Sequence, residues 1–461
     1  MKKNWKGQKV LILGAARQGL ALARYLSSQG AQVILNDRRQ ADQLADEREK
    51  MSAYPIQWVL GEHPHSLLDS TDLVCISGGV PLTLPIIQEA VRRGLPLSND
   101  SQIFMEAVPC PVIGITGSAG KTTTTTLLGR MAQQAANPDQ KVWVGGNIGL
   151  PLIDRLDEID QKDIVILEFS SFQLEQMTRS PAVAAVLNIT PNHLDRHGTL
   201  AAYTAAKARI LAFQQAGDVA VLSREDPGAW ALAGSVKGRL VSFGFAQPPI
   251  GQTGTYLAEE ELRLFDGQSS HVLMQRSDIH LRGEHNLSNV LAAFAIARAA
   301  GWELSNLYAA ITGFNGVEHR LEYIRTLRGA RWYNDSIATA PERTIAAIQS
   351  FEEPLVLLLG GRDKDLPWDT LVELIRQRVD HVIVFGEAAG KIASAIGPLR
   401  TGQRPCTLTQ YDRLEDAVQG AAQIAEQGDV VLLSPGGTSY DAFNDFVERG
   451  ERYRQWVKQL T

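Results

Sequence analysis

The sequence predicts an α/β fold made of three units in series, and two observations lead to this prediction. The chain has 461 residues, which at roughly 150 residues per domain corresponds to about three domains. Short apolar runs recur along the chain, and each ends in a polar or glycine-rich turn. Runs of this kind between helical stretches are typical of parallel sheets that are covered on both faces.

The composition excludes several other classes of protein. Lysine and arginine number 45 against 51 aspartate and glutamate residues, a net charge of −6, whereas a general nucleic-acid binder needs a basic face. The three cysteines lie far apart with no Cys-x-x-Cys pair, so neither a zinc ribbon nor a disulfide framework is indicated. No apolar stretch approaches the roughly 18 residues of a membrane helix. We therefore expect a cytoplasmic protein that binds neither nucleic acid nor membrane.

The first unit begins with three apolar runs that we predict to be strands: Lys9–Leu13, Gln32–Leu35 and Asp72–Ile76. The glycine-rich turn GAARQG follows the first run at residues 14–19, and Asp37 follows the second. The glycine spacing is G-x-x-x-x-G rather than the G-x-G-x-x-G of dinucleotide-binding proteins, so the indication of NAD is weak. We expect another nucleotide-like ligand, with Asp37 accepting hydrogen bonds from its hydroxyl or imide groups.

Two further series of apolar runs define the other units. The second series begins near Pro109 and the third lies beyond about Gly316. Between them, Gln247–Gly267 is rich in glycine, proline and acidic residues, and we expect it to be an exposed excursion. The runs of the two series are Val112–Ile115, Asp163–Leu167, Ala184–Ile189, Leu355–Leu359, His381–Phe385 and Asp429–Leu433.

The sharpest chemical motif is TGSAGKTT at residues 116–123, directly after an apolar run and before a helical stretch. A glycine-rich turn that enters a helix presents backbone N–H groups to phosphate oxygens. Lys121 can reach the terminal phosphates, and Thr122 can offer its hydroxyl to Mg²⁺. Ile115 stands where the general P-loop pattern has its first glycine. The alternative is a tight turn that binds nothing, and the Lys-Thr placement disfavours it.

Two residues at predicted strand ends are candidates for a magnesium site. Glu168 ends the run Asp163–Leu167, and His193 lies in the loop after Ala184–Ile189. Because ligands of parallel sheets bind at the carboxyl ends of strands, both side chains open onto one crevice if the strands are neighbours. A carboxylate is a hard ligand that suits Mg²⁺. A histidine in a polar loop is more often a surface residue.

Other candidates have an ordinary structural explanation beside the functional one. Lys207, on the predicted helix Ala201–Leu211, is best explained by its pattern as a solvated helix lysine. Asn286 and Asn289 share a face of a first helical turn, where capping explains one of them and a ligand explains both. Arg320 is either a phosphate partner or a surface arginine.

In the third unit, Lys364 and Ser434 each follow an apolar run within a glycine-rich loop. A cation, a hydroxyl and free turn amides are what a small dicarboxylate requires. Ordinary loop chemistry explains both residues equally well.

Nine motifs together resemble the Mur ligase family, and they span the whole chain. In order they are TGSAGKTT, LEFSSFQLE, NITPNHLDRH, AAK, GEHNLSN, HRLE, NDSIAT, LLLGGRDK and LLSPGGTSYDAFNDFVERG. The last motif and the first unit favour the D-glutamate-adding members over the folylpolyglutamate and meso-diaminopimelate-adding relatives.

The resemblance implies a Rossmann-like N-terminal domain that binds a UDP-substrate (residues 1–98), a central P-loop ATPase-type domain with a parallel sheet (99–316), and a Rossmann-like C-terminal domain that binds the amino acid (317–461). It implies an ATP-dependent ligase of peptidoglycan precursor synthesis that adds D-glutamate to UDP-N-acetylmuramoyl-L-alanine through an acyl phosphate. ATP, two Mg²⁺ ions and a carbamylated Lys207 would serve this reaction. We expect a monomer.

The resemblance also assigns residues to each ligand, several of them to more than one. Catalysis is implied for Lys121, Glu168, His193 and Lys207, and metal binding for Thr122, Glu168, His193 and the carbamate on Lys207. ATP binding is implied for Gly117, Ser118, Ala119, Gly120, Lys121, Thr122, Thr123, Asn286, Asn289, Arg320 and Asp335. The UDP-substrate is assigned to Gly14, Ala15, Asp37, Arg38, Gly79, Asn147 and His193, and D-glutamate to Thr339, Lys364, Ser434 and Phe443.

One position departs from the family pattern. Ile337 stands where well-known members carry a lysine, so a direct charged contact from that position is lost. The alternatives to the implied activity are another Mur or folylpolyglutamate ligase, a P-loop regulatory switch, and an NAD dehydrogenase, which the glycine spacing disfavours.

Overall fold

A computed structural model describes residues 4–149, 151–281, 283–363, 366–400 and 402–461. The chain divides into two compact units. The first consists of Met1–Ile279 with Glu284–Gly313, and the second of His280–Gly283 with Phe314–Thr461. The first unit contains two sheets and the second contains one, each formed by consecutive segments of the chain.

The N-terminal sheet of the first unit is parallel, with strand order β3-β2-β1-β4-β5. The strands are β1 (Lys9–Leu13), β2 (Gln32–Asp37), β3 (Ile56–Leu60), β4 (Leu73–Ile76) and β5 (Leu97–Ser98). The helices are α1 (Arg17–Ser28), α2 (Ala45–Lys50), α3 (Pro85–Arg92) and α4 (Asp100–Ala107), with 3₁₀ turns at Asp42–Leu44 and His65–Ser70.

The order of these strands creates a crevice at the end of β1. The chain leaves β1 toward β2 on one side and later returns to β4 on the other, which is a topological switch point where ligands bind in parallel sheets. Gly14 follows β1 with φ +98°, and an added Cβ there would lie 2.9 Å from Cγ2 of Val80. Both the backbone angle and the close approach require glycine at this position.

The second sheet of the first unit has strand order β14-β13-β12-β11-β10-β9-β6-β8-β7. Its strands are β6 (Val112–Thr116), β7 (Val142–Gly146), β8 (Ile164–Glu168), β9 (Val183–Val186), β10 (Val219–Ser223), β11 (Arg239–Phe243), β12 (Thr253–Ala258), β13 (Glu261–Phe265) and β14 (Ser270–Gln275). Its helices are α5 (Lys121–Ala135), α6 (Ser171–Leu174), α7 (Leu194–His197), α8 (Leu200–Ala212), α9 (Pro227–Trp230), α10 (Glu284–Ala299) and α11 (Tyr308–Thr312), with 3₁₀ turns at Leu152–Glu158, Ala233–Ser235 and Arg276–Asp278.

The prediction that Gln247–Gly267 is an exposed excursion is wrong for most of this segment. It contains β12 and β13, which pair antiparallel with each other, while β12 also pairs parallel to β11. Tyr256 and Leu262 are buried there. The glycine and acidic residues that suggested an excursion lie at the ends of these strands or at the turn between them, where turn chemistry is expected.

The second unit contains a sheet of order β15-β16-β20-β17-β18-β19, antiparallel between β15 and β16 and parallel elsewhere. The strands are β15 (Glu322–Leu327), β16 (Ala330–Asn334), β17 (Leu355–Gly360), β18 (His381–Phe385), β19 (Thr407–Tyr411) and β20 (Val430–Gly436). The helices are α12 (Pro341–Ile348), α13 (Asp369–Arg378), α14 (Ala389–Ile396), α15 (Leu414–Ile424) and α16 (Phe446–Gln459).

This sheet is covered on both faces, as its uninterrupted apolar runs predict. In β17, Leu355, Leu357 and Leu359 pack into one core, while Val356 and Leu358 pack into another on the opposite face. The alternation follows from the two-residue period of a strand. Helices on both faces leave no solvated side for polar residues, so β17 is apolar throughout.

Among the described residues, we find no helix with the length and apolarity that crossing a membrane requires.

Gly114 in β6 tests how tightly the central sheet is packed. A Cβ at this position would lie 2.3 Å from Cγ of Pro181 and 2.9 Å from Cε2 of Phe169. We expect Gly114→Ala to destabilise the fold by about 1–3 kcal/mol because the neighbours must shift. The matched control is Gly234→Ala, where an added Cβ meets no atom within 4 Å. Thermal unfolding compares the two variants with the wild type, and equal midpoints for both would contradict the packing argument.

Candidate active site

The P-loop motif forms the turn between β6 and α5. Gly120 caps the helix with φ +80°, and an added Cβ would lie 2.3 Å from Oδ1 of Asn289, so only glycine fits. The Lys121 ammonium donates to the carbonyl oxygens of Gly117 at 2.7 Å and Ser118 at 3.3 Å. A glycine-rich turn at the N-terminus of a long helix is the arrangement that binds phosphate groups.

Glu168 ends β8 beside this turn, with its side chain buried. One carboxylate oxygen accepts a hydrogen bond from Oγ1 of Thr122 at 2.9 Å, and the other accepts from Nδ2 of Asn147 at 3.1 Å. Thr122 and Glu168 thus place two hard oxygen donors together, which suits Mg²⁺. Asn147, which the family resemblance assigns to the UDP-substrate, donates to this carboxylate.

Lys207 lies on α8 and is 1% exposed. Its ammonium donates to the carbonyl of Gly117 at 2.8 Å and to Oγ1 of Thr116 at 3.3 Å. Burial, assisted by the nearby charge of Lys121, lowers the pKa of Lys207 to about 7, although Glu168 opposes this shift. The helix pattern by itself favoured a solvated lysine, and that interpretation is wrong because the helix packs this face against the P-loop strand.

His193 and Glu168 do not follow neighbouring strands, which was the condition for placing both on one crevice. The P-loop strand β6 lies between β8 and β9, so the two residues flank the glycine-rich turn that follows β6. His193 is exposed, has a left-handed backbone with φ +52°, and meets the ring of Phe172 edge-on at 5.1 Å. A positive φ in a residue other than glycine is a strained conformation that occurs often at functional sites.

Two residues that the sequence pattern did not single out, Arg196 and His197, donate from their backbone N–H groups to the carbonyl of His193 at 3.1 and 3.0 Å. His197 lies one turn later, where Nε2 is 2.9 Å from Oγ of Ser171 and Nδ1 is 3.0 Å from Oε1 of Glu175. Arg196 stacks over the ring of Phe172 at 4.0 Å and donates to the backbone carbonyls of residues 78 and 80. The three- and four-residue spacing from His193 is the signal that could have identified both residues.

Asn286 and Asn289 lie in the first two turns of α10 and share one face, as their spacing predicts. Nδ2 of Asn289 donates to Oδ1 of Asn286 at 3.1 Å, and Oδ1 of Asn289 accepts from Oγ1 of Thr124 at 3.3 Å. Because Thr124 belongs to α5, the two amides lie against the P-loop helix.

A cavity of about 460 Å³ opens at the end of β1 and is lined by Gly14, Asp37, Arg38 and Gly79, among others. Ala15 is buried and lies in the turn between β1 and α1. The carboxylate of Asp37 accepts a hydrogen bond from the Ala15 N–H at 2.7 Å and pairs with Arg39 at 3.1 Å. Burial opposes ionisation of Asp37, but the hydrogen bonds from Arg39 and Ala15 outweigh it and lower its pKa to about 2. Arg39 and His63, which also line this cavity, were not among the predicted residues.

In the second unit, Asp335 and Ser434 meet at the ends of β16 and β20. Oγ of Ser434 donates to Oδ2 of Asp335 at 2.8 Å, and both side chains are buried. Thr339 is half-buried in the loop after Asp335, and Phe443 is half-buried between β20 and α16. Lys364 lies outside the described residues, so its predicted place beside Ser434 stays a prediction.

Arg320 and Ile337 complete the predicted residues of this unit. Arg320 is exposed, and its charge acts on Asp335. Ile337 is half-buried, and its carbonyl accepts a hydrogen bond from Arg343 at 3.1 Å. An arginine therefore reaches the backbone of the segment in which the family lysine is missing.

Glu318, His319 and Glu451 form another group of metal-ligand side chains, with ligand atoms within 4.8 Å of one another. The Arg454 guanidinium lies 2.9 Å from Glu451 and 3.5 Å from Glu318. Its positive charge already compensates these carboxylates, which disfavours a cation there.

Three family models match the chain: the MurD-like N-terminal domain of Mur ligases over residues 8–98, the Mur ligase middle domain over 115–297, and the Mur ligase glutamate ligase domain over 319–437. The chain is 38% identical to the UDP-N-acetylmuramoylalanine–D-glutamate ligase of Symbiobacterium thermophilum, with 98% of each chain covered. It is also 38% identical to the enzyme of the same name from Pelotomaculum thermopropionicum, with 100% of this chain and 99% of the relative covered.

The chain belongs to the Mur ligase family.

A solved structure shares the fold of this Mur ligase. The MurF ligase of Thermotoga maritima in complex with ADP has a TM-score of 0.53 and 17% sequence identity, with 100% of this chain and 99% of that chain covered. The predicted α/β fold with Mur ligase domains in series is confirmed. Within the first unit of this Mur ligase, the predicted nucleotide and metal residues gather around one turn, from Gly117 to Thr123, with Glu168 and Lys207 beside it.

The buried carboxyl of Asp335 predicts a pH dependence of stability for this Mur ligase. Burial raises the pKa of Asp335 from 3.8 to about 7, against the hydrogen bonds from Ser434 and Leu321. Between these two values the folded chain keeps a proton that the unfolded chain has lost, so stability falls as the pH rises from about 4 to 7. We expect the urea midpoint of the wild type to fall relative to that of Asp335→Asn over this range. Parallel pH profiles of the two proteins would contradict the assignment.

Proposed function

We propose that this Mur ligase joins D-glutamate to UDP-N-acetylmuramoyl-L-alanine, with ATP cleaved to ADP and phosphate. The observation that carries the proposal is the gathering of Lys121, Thr122, Glu168 and Lys207 around one phosphate-binding turn. It occurs in a chain whose full-length relatives at 38% identity are ligases of that name.

The first chemical step transfers the terminal phosphoryl group of ATP to the alanyl carboxylate and gives an acyl phosphate. The P-loop N–H groups and the Lys121 ammonium hold the phosphates and offset the charge that spreads over the phosphoryl oxygens. Asn286 and Asn289, at the P-loop helix, are proposed to contact the nucleotide together with Arg320 and Asp335. The remaining residues of the turn are proposed to bind through their backbone N–H groups: Gly117, Ser118, Ala119, Gly120 and Thr123.

The oxygen donors at the turn fit Mg²⁺. The buried Glu168 carboxylate has both oxygens turned toward polar partners, one of them the Thr122 hydroxyl, and such hard oxygen ligands suit this ion. When bound, Mg²⁺ supplies charge stabilisation to the transferring phosphoryl group. Glu168 and Thr122 would hold one ion, and His193 and a carbamate on Lys207 would hold a second.

Lys207 qualifies for carbamylation by its environment. A pKa of about 7 leaves much of its amine neutral at physiological pH, and the neutral amine is the form that adds CO₂. The addition forms an N–C bond, releases one proton and converts a cation into an oxygen ligand. The carbamate would then face the P-loop, where Lys121 is the nearby positive charge.

In the second step the amine of D-glutamate attacks the acyl phosphate. The tetrahedral intermediate collapses to the amide and releases phosphate. We propose that Thr339, Lys364, Ser434 and Phe443 orient the amino acid. Three of them lie at one sheet of the second unit: Thr339 in the segment after β16, Ser434 near the end of β20, and Phe443 in the segment after β20. Holding both partners in one geometry supplies a large part of the rate.

The UDP moiety is proposed to bind in the cavity at the end of β1. Gly14, Ala15, Arg38 and Gly79 would contact it, and the ionised Asp37 would accept hydrogen bonds from its donors. On the central sheet, Asn147 and His193 would contact the muramoyl-alanyl part. We propose residues 1–98, 99–316 and 317–461 as the three domains.

The setting of the reaction follows from its substrates. We propose that the protein acts as a monomer in the cytoplasm and makes a peptidoglycan precursor. Through cell-wall synthesis it would contribute to cell shape and cell division.

A panel of amino acids tests the proposed reaction. With UDP-N-acetylmuramoyl-L-alanine, ATP and Mg²⁺ held constant, phosphate release and product mass are measured with D-glutamate, L-glutamate, D-alanine, glycine and meso-diaminopimelate. We expect D-glutamate to be preferred, because an amino acid lacking the second carboxylate leaves buried polar groups unpaired at about 1–3 kcal/mol each. Equal or better use of meso-diaminopimelate would identify a different Mur ligase, and nucleotide binding without any amide product would identify a regulatory switch.

The same assay includes one loss-of-function variant and its control. Lys121→Ala should lower kcat at least ~10²-fold, the scale of removing one preorganised charge from the reacting phosphate. Lys162→Ala is the control because Lys162 pairs with Asp139 on the surface, 49% exposed. Phosphate release by Lys121→Ala within tenfold of the wild type would refute the assignment of the P-loop.

Chemical rescue tests the carbamate. Lys207→Ala should be inactive and partly restored by formate or acetate, since a small carboxylate can replace the carbamate oxygens. Lys121→Ala should not respond to the same acids, because its missing group is a cation. If neither acid restores Lys207→Ala, the carbamate loses its support.

A further inference from the structure

Arg449 is a charged side chain that the second unit encloses completely. It lies in the first turns of α16 and is 0% exposed. Its guanidinium makes three hydrogen bonds: Nε donates to Oγ of Ser336 at 3.0 Å, and the two terminal nitrogens donate to the carbonyl of Ser336 at 2.9 Å and of Gly437 at 3.1 Å. All three acceptors are backbone or side-chain oxygens of loops rather than of helices.

These contacts join loops at the carboxyl ends of adjacent strands. Ser336 follows β16, and Gly437 follows β20. The loop after β17 also closes on the guanidinium, since a Cβ on Gly361, which has φ +94°, would lie 2.9 Å from a terminal nitrogen of Arg449. In the sheet these strands stand in the order β16-β20-β17. The Arg449 side chain therefore contacts the loops that follow three neighbouring strands.

The positive charge of Arg449 is not neutralised by direct contact. Its three acceptors are two carbonyls and a hydroxyl, all uncharged, and within the described part of the chain no carboxylate lies at ion-pair distance. Burial lowers the pKa of Arg449 to about 10, opposed by the charge of Asp441, so the group stays protonated at neutral pH. A buried cation without an ion-pair partner favours an anion nearby, because the local dielectric is low.

We propose that Arg449 is a positioning residue that adapts this end of the sheet to an amino acid with two carboxylates. Its hydrogen bonds fix the segment from Ser336 to Thr339 relative to the loop that follows Ser434. Its positive charge favours binding of the second carboxylate of the amino acid at the ends of these strands. The proposal rests on the proposed function, because it assigns a cause for the preference for glutamate within that reaction.

Steady-state kinetics of the full-length protein test the proposal with two substitutions. Arg449→Met keeps the volume and loses the charge and hydrogen bonds, whereas Arg449→Lys keeps the charge and part of the bonding. We expect Arg449→Met to raise the KM for D-glutamate about tenfold or more, the effect of breaking a buried polar network. The KM values for ATP and the UDP-substrate should change less than about threefold. Arg449→Lys should lie between the wild type and Arg449→Met.

Tyr453→Phe is the matched control. Tyr453 lies one turn further along α16 and is equally buried, but it packs in the apolar core. A structural disturbance of α16 would affect all three KM values, and Tyr453→Phe should leave them unchanged. An unchanged KM for D-glutamate in Arg449→Met, an equal rise of all three KM values, or a lysine variant no better than methionine would each overturn the proposal.

Misfolding of a variant and failure of the proposed function have different consequences for this inference. If Arg449→Met does not unfold cooperatively on heating, its kinetics are replaced by those of Arg449→Lys. A selective rise of at least about threefold in the KM of Arg449→Lys for D-glutamate supports the proposal. Wild-type kinetics of Arg449→Lys overturn it. If the wild type itself does not depend on D-glutamate, the proposed function fails. A wild type that depends on D-glutamate, with unaltered Arg449 variants, refutes this inference alone.

Discussion

The burial of an acidic and a basic side chain beside one glycine-rich turn is the constraint on which the central sheet depends. Glu168, at the end of β8, and Lys207, on α8, are each 1% exposed. Both contact the segment formed by the end of β6, the turn after it and the start of α5. A buried charge is costly unless polar groups compensate it. Thr122 and Asn147 do so for Glu168, and the carbonyl of Gly117 does so for Lys207. The groups that reduce the free-energy cost of burying these two side chains are also groups that can hold a metal and phosphates.

In the second unit, the free-energy cost of burying ionisable side chains is reduced in a different way. Burial raises the pKa of Asp335 to about 7, so below that pH the carboxyl keeps its proton and avoids the cost of a buried charge. Arg449 stays charged and is held by uncharged oxygens. Near the ends of its central strands the unit therefore carries an acid that is protonated below about pH 7 and a cation whose hydrogen-bond acceptors are uncharged.

Much of the fold and part of the site were predictable from local patterns. Uninterrupted apolar runs identified β1, β6 and β17, because a strand buried on both faces has no polar positions. The spacing of Asn286 and Asn289 predicted their shared face, since three residues span most of a helical turn. The excursion expected for Gln247–Gly267 was wrong, because glycine and acidic residues mark turns without revealing whether the strands between them pair.

The sequence by itself determined the order of elements, the P-loop turn and the strand ends at which polar side chains lie, because these depend on residues close together in the chain. The tertiary structure alone decided the environment of each side chain. Lys207 is buried, Ser434 donates a hydrogen bond to Asp335, and Arg449 contacts the loops that follow three strands. Each of these contacts joins segments far apart in sequence, and burial sets the protonation of a group through neighbours that no local pattern specifies.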